Sequence, residues 1–300
     1  MNPSWGQLAG LMTSVFWALT SICFTMAGQR VGSRIVNRTR LAVASGMLAV
    51  VHLFAQGTPF PFDAEAARWG WLALSAVAGL VIGDGLLFYA FTQIGARLSM
   101  LLMALTPVIG TLLAWAFLGE ILRAVELVAI TVTIGGVAWV VLERNAPAQE
   151  HHTPRDYLIG VLCGLGGAAG QAVGLVLSKQ GMVGDFPTLS ASLMRVVIAT
   201  VILWLLASVQ GKVRESIAAL EDRQGLKFII LGAFVGPVMG MSLSLVAVRM
   251  SNVGLASTLM ALSPVILLPL GYWIFDEQIT FRAVMGTVVA LAGVAMIFLL

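Results

Sequence analysis

The sequence predicts an all-α polytopic membrane protein of ten transmembrane helices, arranged as two inverted five-helix repeats. Three observations carry this prediction. Only 10% of the residues are charged, 59% are hydrophobic and the mean hydropathy is +0.96, whereas globular chains run near 25% charged. The stretch LLMALTPVIGTLLAWAFLGE, Leu101 to Glu120, returns 157 residues later as TLMALSPVILLPLGYWIFDE, Thr258 to Glu277. Nine of the twenty aligned positions are identical, seven of them between Leu102 and Ile109, and Pro107 falls on Pro264 and Glu120 on Glu277. The same shift pairs Gly79 with Gly236, Gly83 with Gly240 and Gly136-Val137-Ala138 with Gly293-Val294-Ala295, so the chain reads as two copies of one unit. Five spans per copy is an odd number, and the second copy therefore enters the membrane from the opposite side.

Each span needs about 20 apolar residues. The first runs from about Gln7 to Ala27, and the second opens near Asn37 with Arg40 in its first turns. A polar, proline-bearing link from Gln56 to Arg68 leads to the third, Trp69 to about Gln93, which holds Asp84, the only carboxylate deep inside any apolar run. The fourth span is the repeated stretch and the fifth covers Ala124 to Leu142. Residues 144–156 form a polar linker between the first repeat, 1–143, and the second, 157–300. The sixth span, Tyr157 to Ser178, is glycine-rich, which suits close approach of helices in lipid. No strand precedes its GxGGxxG-like run, so it is not a nucleotide-binding loop. The seventh, Leu189 to Val209, carries Arg195. A charged, helix-forming surface segment, KVRESIAALEDRQGLK, precedes the eighth, Phe228 to Val248, and the ninth and tenth cover Asn252 to Phe275 and Phe281 to Leu300.

Composition also excludes several classes. A net charge of +3 offers no basic face for nucleic acid despite a pI near 9.2. Cys23 and Cys163 lie in apolar runs without partners for a metal site, and His52 and the linker pair His151-His152 lack metal-ligand spacing. No cofactor is expected. No positive charge precedes the first apolar run, the first basic residue being Arg30, and no cleavable leader is expected. With the amino terminus outside, eleven loop cations face the cytoplasm and four the other side, so the positive-inside rule favours both termini outside.

The segments ALTPVIGTLLAWAFLGEILRAVELVAITVTIGGV and ALSPVILLPLGYWIFDEQITFRAVMGTVVALAGV resemble the proline-bearing fourth and ninth helices, with the glycine-bearing helices that follow, of the drug/metabolite transporter superfamily in its ten-helix EamA-like branch. Arg40 and Arg195 match the arginine that opens the second helix of each half in that family. Asp276 departs from the pattern, standing where the family has glycine. The resemblance implies ten helices around a central cavity and both termini in the cytoplasm, the reverse of the charge count.

Asp84 is the first candidate for mechanism, because an ionisable side chain within a span is costly unless it faces a cavity, a partner or a proton path. Buried away from counter-charge, such an acid holds its proton more readily and suits proton coupling. The aligned position in the second repeat is Met241, so that coupling is asymmetric. Pro107 and Pro264, with Met103 and Met260 beside them, suit hinge or cavity duty, since each proline removes a backbone hydrogen bond and can kink its helix. Trp17, Tyr89, Trp115, Gln171 and Tyr272 are amphipathic or polar groups suited to a solute cavity. Glu120 and Glu277 sit at span ends as helix caps. Arg40 and Arg195 suit contact with an anion, or snorkel to the headgroups.

The function implied by the resemblance is a secondary transporter, an exporter of small organic solutes such as amino acids or related metabolites, working by alternating access in the plasma membrane, the inner membrane of a bacterium. Its partners are a small-molecule solute, membrane lipids and protons as the coupling ion. Exchange of sugar phosphates or nucleotide sugars is the alternative and calls on Arg40 and Arg195. An intramembrane aspartyl protease needs a second carboxylate beside Asp84, and Asp276 and Glu277 lie at a membrane edge, so the chain is not read as an enzyme.

Overall fold

A computed structural model of the chain describes residues 3–118, 123–142, 154–184, 186–241, 243, 244, 247, 259–276 and 279–299. Every regular element among them is helical. Six stretches are long and apolar enough to cross a membrane: Trp5–Val31, Ser33–Gln56, Ala66–Met103, Ala124–Leu142, Pro154–Ser178 and Thr188–Val209. Ser263–Phe275 and Phe281–Ile297 are shorter apolar helices. The chain is thus an all-helical polytopic membrane protein.

In chain order the helices are α1 (Pro3–Val31), α2 (Ser33–Gln56), α3 (Ala66–Ala76), α4 (Asp84–Met103), α5 (Thr106–Leu118), α6 (Ala124–Leu142), α7 (Pro154–Gly181), α8 (Thr188–Val209), α9 (Val213–Ala218), α10 (Arg223–Ala233), α11 (Ser263–Phe275) and α12 (Phe281–Leu299). Two wide π turns extend α3 and α10, at Val77–Gly83 and Phe234–Gly240. The spacing found in the sequence reappears in these boundaries. From α3 to α10, between the π turns, from α5 to α11 and from α6 to α12, every start is displaced by 157 residues (223 − 66, 234 − 77, 263 − 106, 281 − 124).

The helices meet along glycine seams, where absent side chains let backbones approach closely. On α7, a Cβ at Gly170 would lie 2.6 Å from Gly83 Cα, one at Gly174 3.0 Å from Gly79 Cα, and one at Gly181 2.8 Å from the Leu72 side chain. Rising numbers on α7 meet falling numbers on α3 and α4, so the pair is antiparallel. On α10 and its π turn, Gly225 faces Val31, Gly232 faces Phe24, Gly236 faces Thr20 and Gly240 faces Trp17 of α1, again antiparallel. The first and third helices of one repeat therefore pack on the third and first of the other. Ser45 with Thr200 at 3.0 Å and His52 with Ser190 at 2.8 Å set α2 antiparallel to α8. The fifth helices pair likewise, Gly136 of α6 lying against Ala290 and Gly286 of α12.

Three local expectations change. The helical path through α4 is broken at Gly95, whose φ of 76° and ψ of 170° require a residue without Cβ, so the third span ends there and residues 96–103 lead into the turn before α5. Pro107 and Pro264 do not kink continuous helices. The chain turns at Ala104-Leu105 and at Ala261-Leu262, and each proline sits in the first turn of a new helix, where its missing N–H costs no hydrogen bond. Arg38, counted among the loop cations, is only 6% exposed inside α2. The linker 144–153, Glu120, Glu277, His151 and His152 lie outside the described residues.

One bundle end is tied by Arg30, whose Nε donates to Asp222 Oδ2 at 2.9 Å, while the same carboxylate caps α10 by accepting from the N–H groups of Gln224 and Gly225 at 3.0 Å. The Gly225 amide first, and then Arg30, hold the Asp222 carboxyl below the usual carboxylate range. A depressed acid contributes stability above its unfolded value and loses it as pH falls through the folded one. Thermal melts of wild type against Asp222→Asn are expected to differ at neutral pH and to converge in acid.

Gly136→Val is expected to destabilise the α6–α12 seam by at least about 1–3 kcal/mol, because its Cβ would stand 2.7 Å from Ala290 Cα and from the Gly286 carbonyl oxygen, backbone that cannot rotate away. Gly135→Ala, where a Cβ meets nothing within 4 Å, is expected to leave the melting temperature unchanged or slightly raised.

Candidate functional site

The wide turn at 77–83 is where the site begins. A π turn shifts hydrogen bonding out of the usual register and marks functional positions in many helices. Here two of its carbonyls receive side chains: Asn37 Nδ2 of α2 donates to Leu80 O at 3.3 Å, and Gln171 Nε2 of α7 donates to Gly79 O at 3.4 Å. The turn closes on Asp84, the first residue of α4, which is 6% exposed.

Asp84 Oδ2 accepts from Arg40 Nη2 in a buried ion pair, and Asp84 Oδ1 accepts from Gln171 Nε2. Asn37, one turn before Arg40, takes that arginine's Nε and Nη2 at 3.3 and 3.1 Å through its Oδ1. Aromatic faces complete the enclosure. The Arg40 guanidinium carbon lies 4.6 Å from the Phe88 centroid and 5.6 Å from that of Phe24, and the two rings meet edge to face at 5.1 Å. A cation desolvated over such rings gains attraction from their quadrupoles.

Arg195 reaches the same place from α8. Its Nη2 and Gln171 Oε1 lie 3.2 and 3.6 Å from where a Cβ on Gly79 would stand. Its Nε is buried without a hydrogen-bond partner. Arg40 and Arg195 each stand seven residues into their helices (40 − 33, 195 − 188). Because those helices are antiparallel, the two cations enter from opposite ends, Arg40 binding Asp84 and Arg195 lying against Gly79 of the turn before it. Two guanidinium groups and one carboxylate leave one positive charge in excess among the described residues, and a buried charge without a partner is costly. This arrangement suits an anionic group.

Of the sequence candidates, Asp84, Arg40, Gln171 and Arg195 come together here. Trp17 and Met260 share a separate cluster with Ala9, Leu243 and Ala247. Met103 packs between two core clusters, and Pro107 and Pro264 open α5 and α11. Tyr89, Trp115 and Tyr272 are 38%, 55% and 57% exposed. Cys23 and Cys163 are free thiols. His52 has both ring nitrogens engaged, Nδ1 with Thr58 O at 2.6 Å and Nε2 with Ser190 Oγ, beside a polar cavity of about 450 Å³ at the outer end of α2. A carbonyl only accepts, so Nδ1 donates to Thr58 O.

Sequence reasoning missed Asn37, Phe24 and Phe88. Asn37 three residues before Arg40, and Phe88 four after Asp84, stand at the spacing of one helix face.

A family model described as "EamA-like transporter family" matches residues 4–142 and 158–299. A solved structure described only as "Crystal structure of protein" shares the fold with a TM-score of 0.57, at 16% identity, over 98% of this chain and 96% of that one. None of the curated proteins compared with the chain matches it.

Removing one partner of a buried pair strands the other. Arg40→Leu is expected to cost about 3–5 kcal/mol, and Arg40→Leu with Asp84→Leu less than the sum of the single changes, measured by thermal or denaturant unfolding in detergent. Equal additivity would deny the pairing.

Proposed function

Because the chain belongs to the EamA-like transporter family, membrane transporters of small solutes, we propose that it is a secondary transporter that exports solutes bearing a carboxylate, amino acids or related metabolites among them. In this reading the two repeats, 1–143 and 157–300, supply ten spanning helices of opposed orientation around a central pathway in the plasma membrane. Support for the opposed orientation comes from the shared 157-residue register and from the antiparallel pairing of equivalent helices.

The observation that carries the proposal is that Arg40, paired with Asp84, and Arg195, set against Gly79 and Gln171, come together around one turn. A solute carboxylate entering there completes the unbalanced charge and competes with Asp84 for the guanidinium groups. Freed of its cation, Asp84 is a buried charge without a partner, and in this reading it is the group that takes the coupling proton. Solute occupancy and protonation of Asp84 are thereby linked, so alternating access between the two repeats moves both in one direction, and export runs on the solute's own outward gradient. Gln171 and Asn37 hold the acid and the cation in register. The cationic excess also favours a second reading, exchange of phosphorylated sugars, which differs in the charge and size of its solute.

Purified protein in proteoliposomes, screened with labelled amino acids and with their uncharged carboxamides under an imposed pH gradient, tests this. Transport is expected for acids and not for carboxamides. Asp84→Asn is expected to abolish the pH dependence, and Arg195→Gln to raise the solute KM by about tenfold, the loss of roughly 1.4 kcal/mol. Equal transport of acid and carboxamide, or an unchanged proton dependence in Asp84→Asn, overturns the reading. Counterflow of sugar phosphates alone transfers it to the exchanger class.

A further inference from the structure

A groove of about 590 Å³ runs over the outer face of the bundle between α2 and α10. Met47 of α2 forms one wall, and Leu226, Ile230, Leu231 and Phe234 form the other, with Arg223 and Lys227 at its head. The spacing of 223, 227, 230 and 234 puts these side chains on one face of the helix. The opposite face, Gly225, Ile229 and Gly232, is buried, its glycines set against Val31 and Phe24 of α1.

The two cations have no ion pair among the described residues. The nearest acid in sequence with a mapped partner, Asp222, is taken up by Arg30 and by the amides it caps. The head of the groove is therefore a pair of unneutralised charges one turn apart, and its body is apolar. From Arg223 to Phe234 is eleven residues, about 16 Å of helix. Half of a hydrocarbon core of about 30 Å is about 15 Å. With its charged end set at the headgroups, the groove has an apolar length that matches one leaflet.

We infer that this groove is a specific site for an anionic phospholipid, whose phosphodiester lies between Arg223 and Lys227 and one of whose acyl chains lies along Met47, Ile230 and Phe234. Basic residues at the membrane surface attract anionic headgroups, and the apolar channel selects a lipid over a free anion. A lipid bound there bridges α2, which carries Arg40, to α10, which packs on α1.

The test uses the full chain purified in detergent, titrated with phosphatidylglycerol or phosphatidylcholine and followed by native mass spectrometry. One phosphatidylglycerol is expected to be retained per chain, in preference to phosphatidylcholine, and not displaced by excess inorganic phosphate. Arg223→Gln with Lys227→Gln is expected to weaken phosphatidylglycerol by about tenfold or more and to erase the preference. Ile230→Trp, which fills the groove and leaves both charges, is expected to weaken it as well. Circular dichroism confirms that each variant is folded, and either one suffices if the other is not. Equal retention of the two lipids, wild-type binding in a folded variant of either kind, or displacement by inorganic phosphate overturns the proposal.

Discussion

A carboxylate held inside a lipid-embedded bundle has to be satisfied by the protein, because no bulk water reaches it. Asp84 meets that condition through Arg40 and Gln171, and much else is arranged around the meeting. The α2 helix must bring Arg40 and Asn37 to the level of the wide turn that precedes Asp84. The α7 helix must come close enough to that turn for Gln171 to reach both the acid and a backbone carbonyl, and it does so through Gly167, Gly170 and Gly174. Any side chain at those glycines pushes the amide out of range.

The seams and the polar cluster are thus one construction. Small residues set the distance between helices, and that distance decides which polar groups touch. The same economy recurs between α1 and the second wide turn, where Gly236 and Gly240 meet Thr20 and Trp17. Thr20 Oγ1 donates to Gly232 O at 2.8 Å, a hydroxyl satisfying backbone where the first repeat uses an amide. The scaffold is repeated and its chemistry is not.

The repeat was legible in the sequence because prolines and glycines obey geometry, and geometry was copied: Pro107 and Pro264 open equivalent helices in the same register. Asp84 stood out because hydrophobic surroundings make a lone acid conspicuous. Its pairing with Arg40 was not legible, since the two are 44 residues apart and the depth of α2 relative to α4 is set by packing. The wide turns left only the recurrent Gly79, Gly83, Gly236 and Gly240 as a trace, and a glycine by itself does not distinguish a π turn from a seam. Arg38 was misread as a loop residue because the helix that begins at Ser33 carries Arg34, Arg38 and Arg40 in its first turns, before the apolar run starts. Gly95 gave no warning of its bend, because in sequence it is one glycine among 32.

The position of Met241 has a consequence of its own. A molecule assembled from two equal halves could exchange their roles and arrive at an equivalent arrangement. In this chain the exchange would bring a thioether, not an acid, to meet the two guanidinium groups. In the transporter reading proposed above, the two arrangements differ in energy even with nothing bound, because only one half supplies the acid.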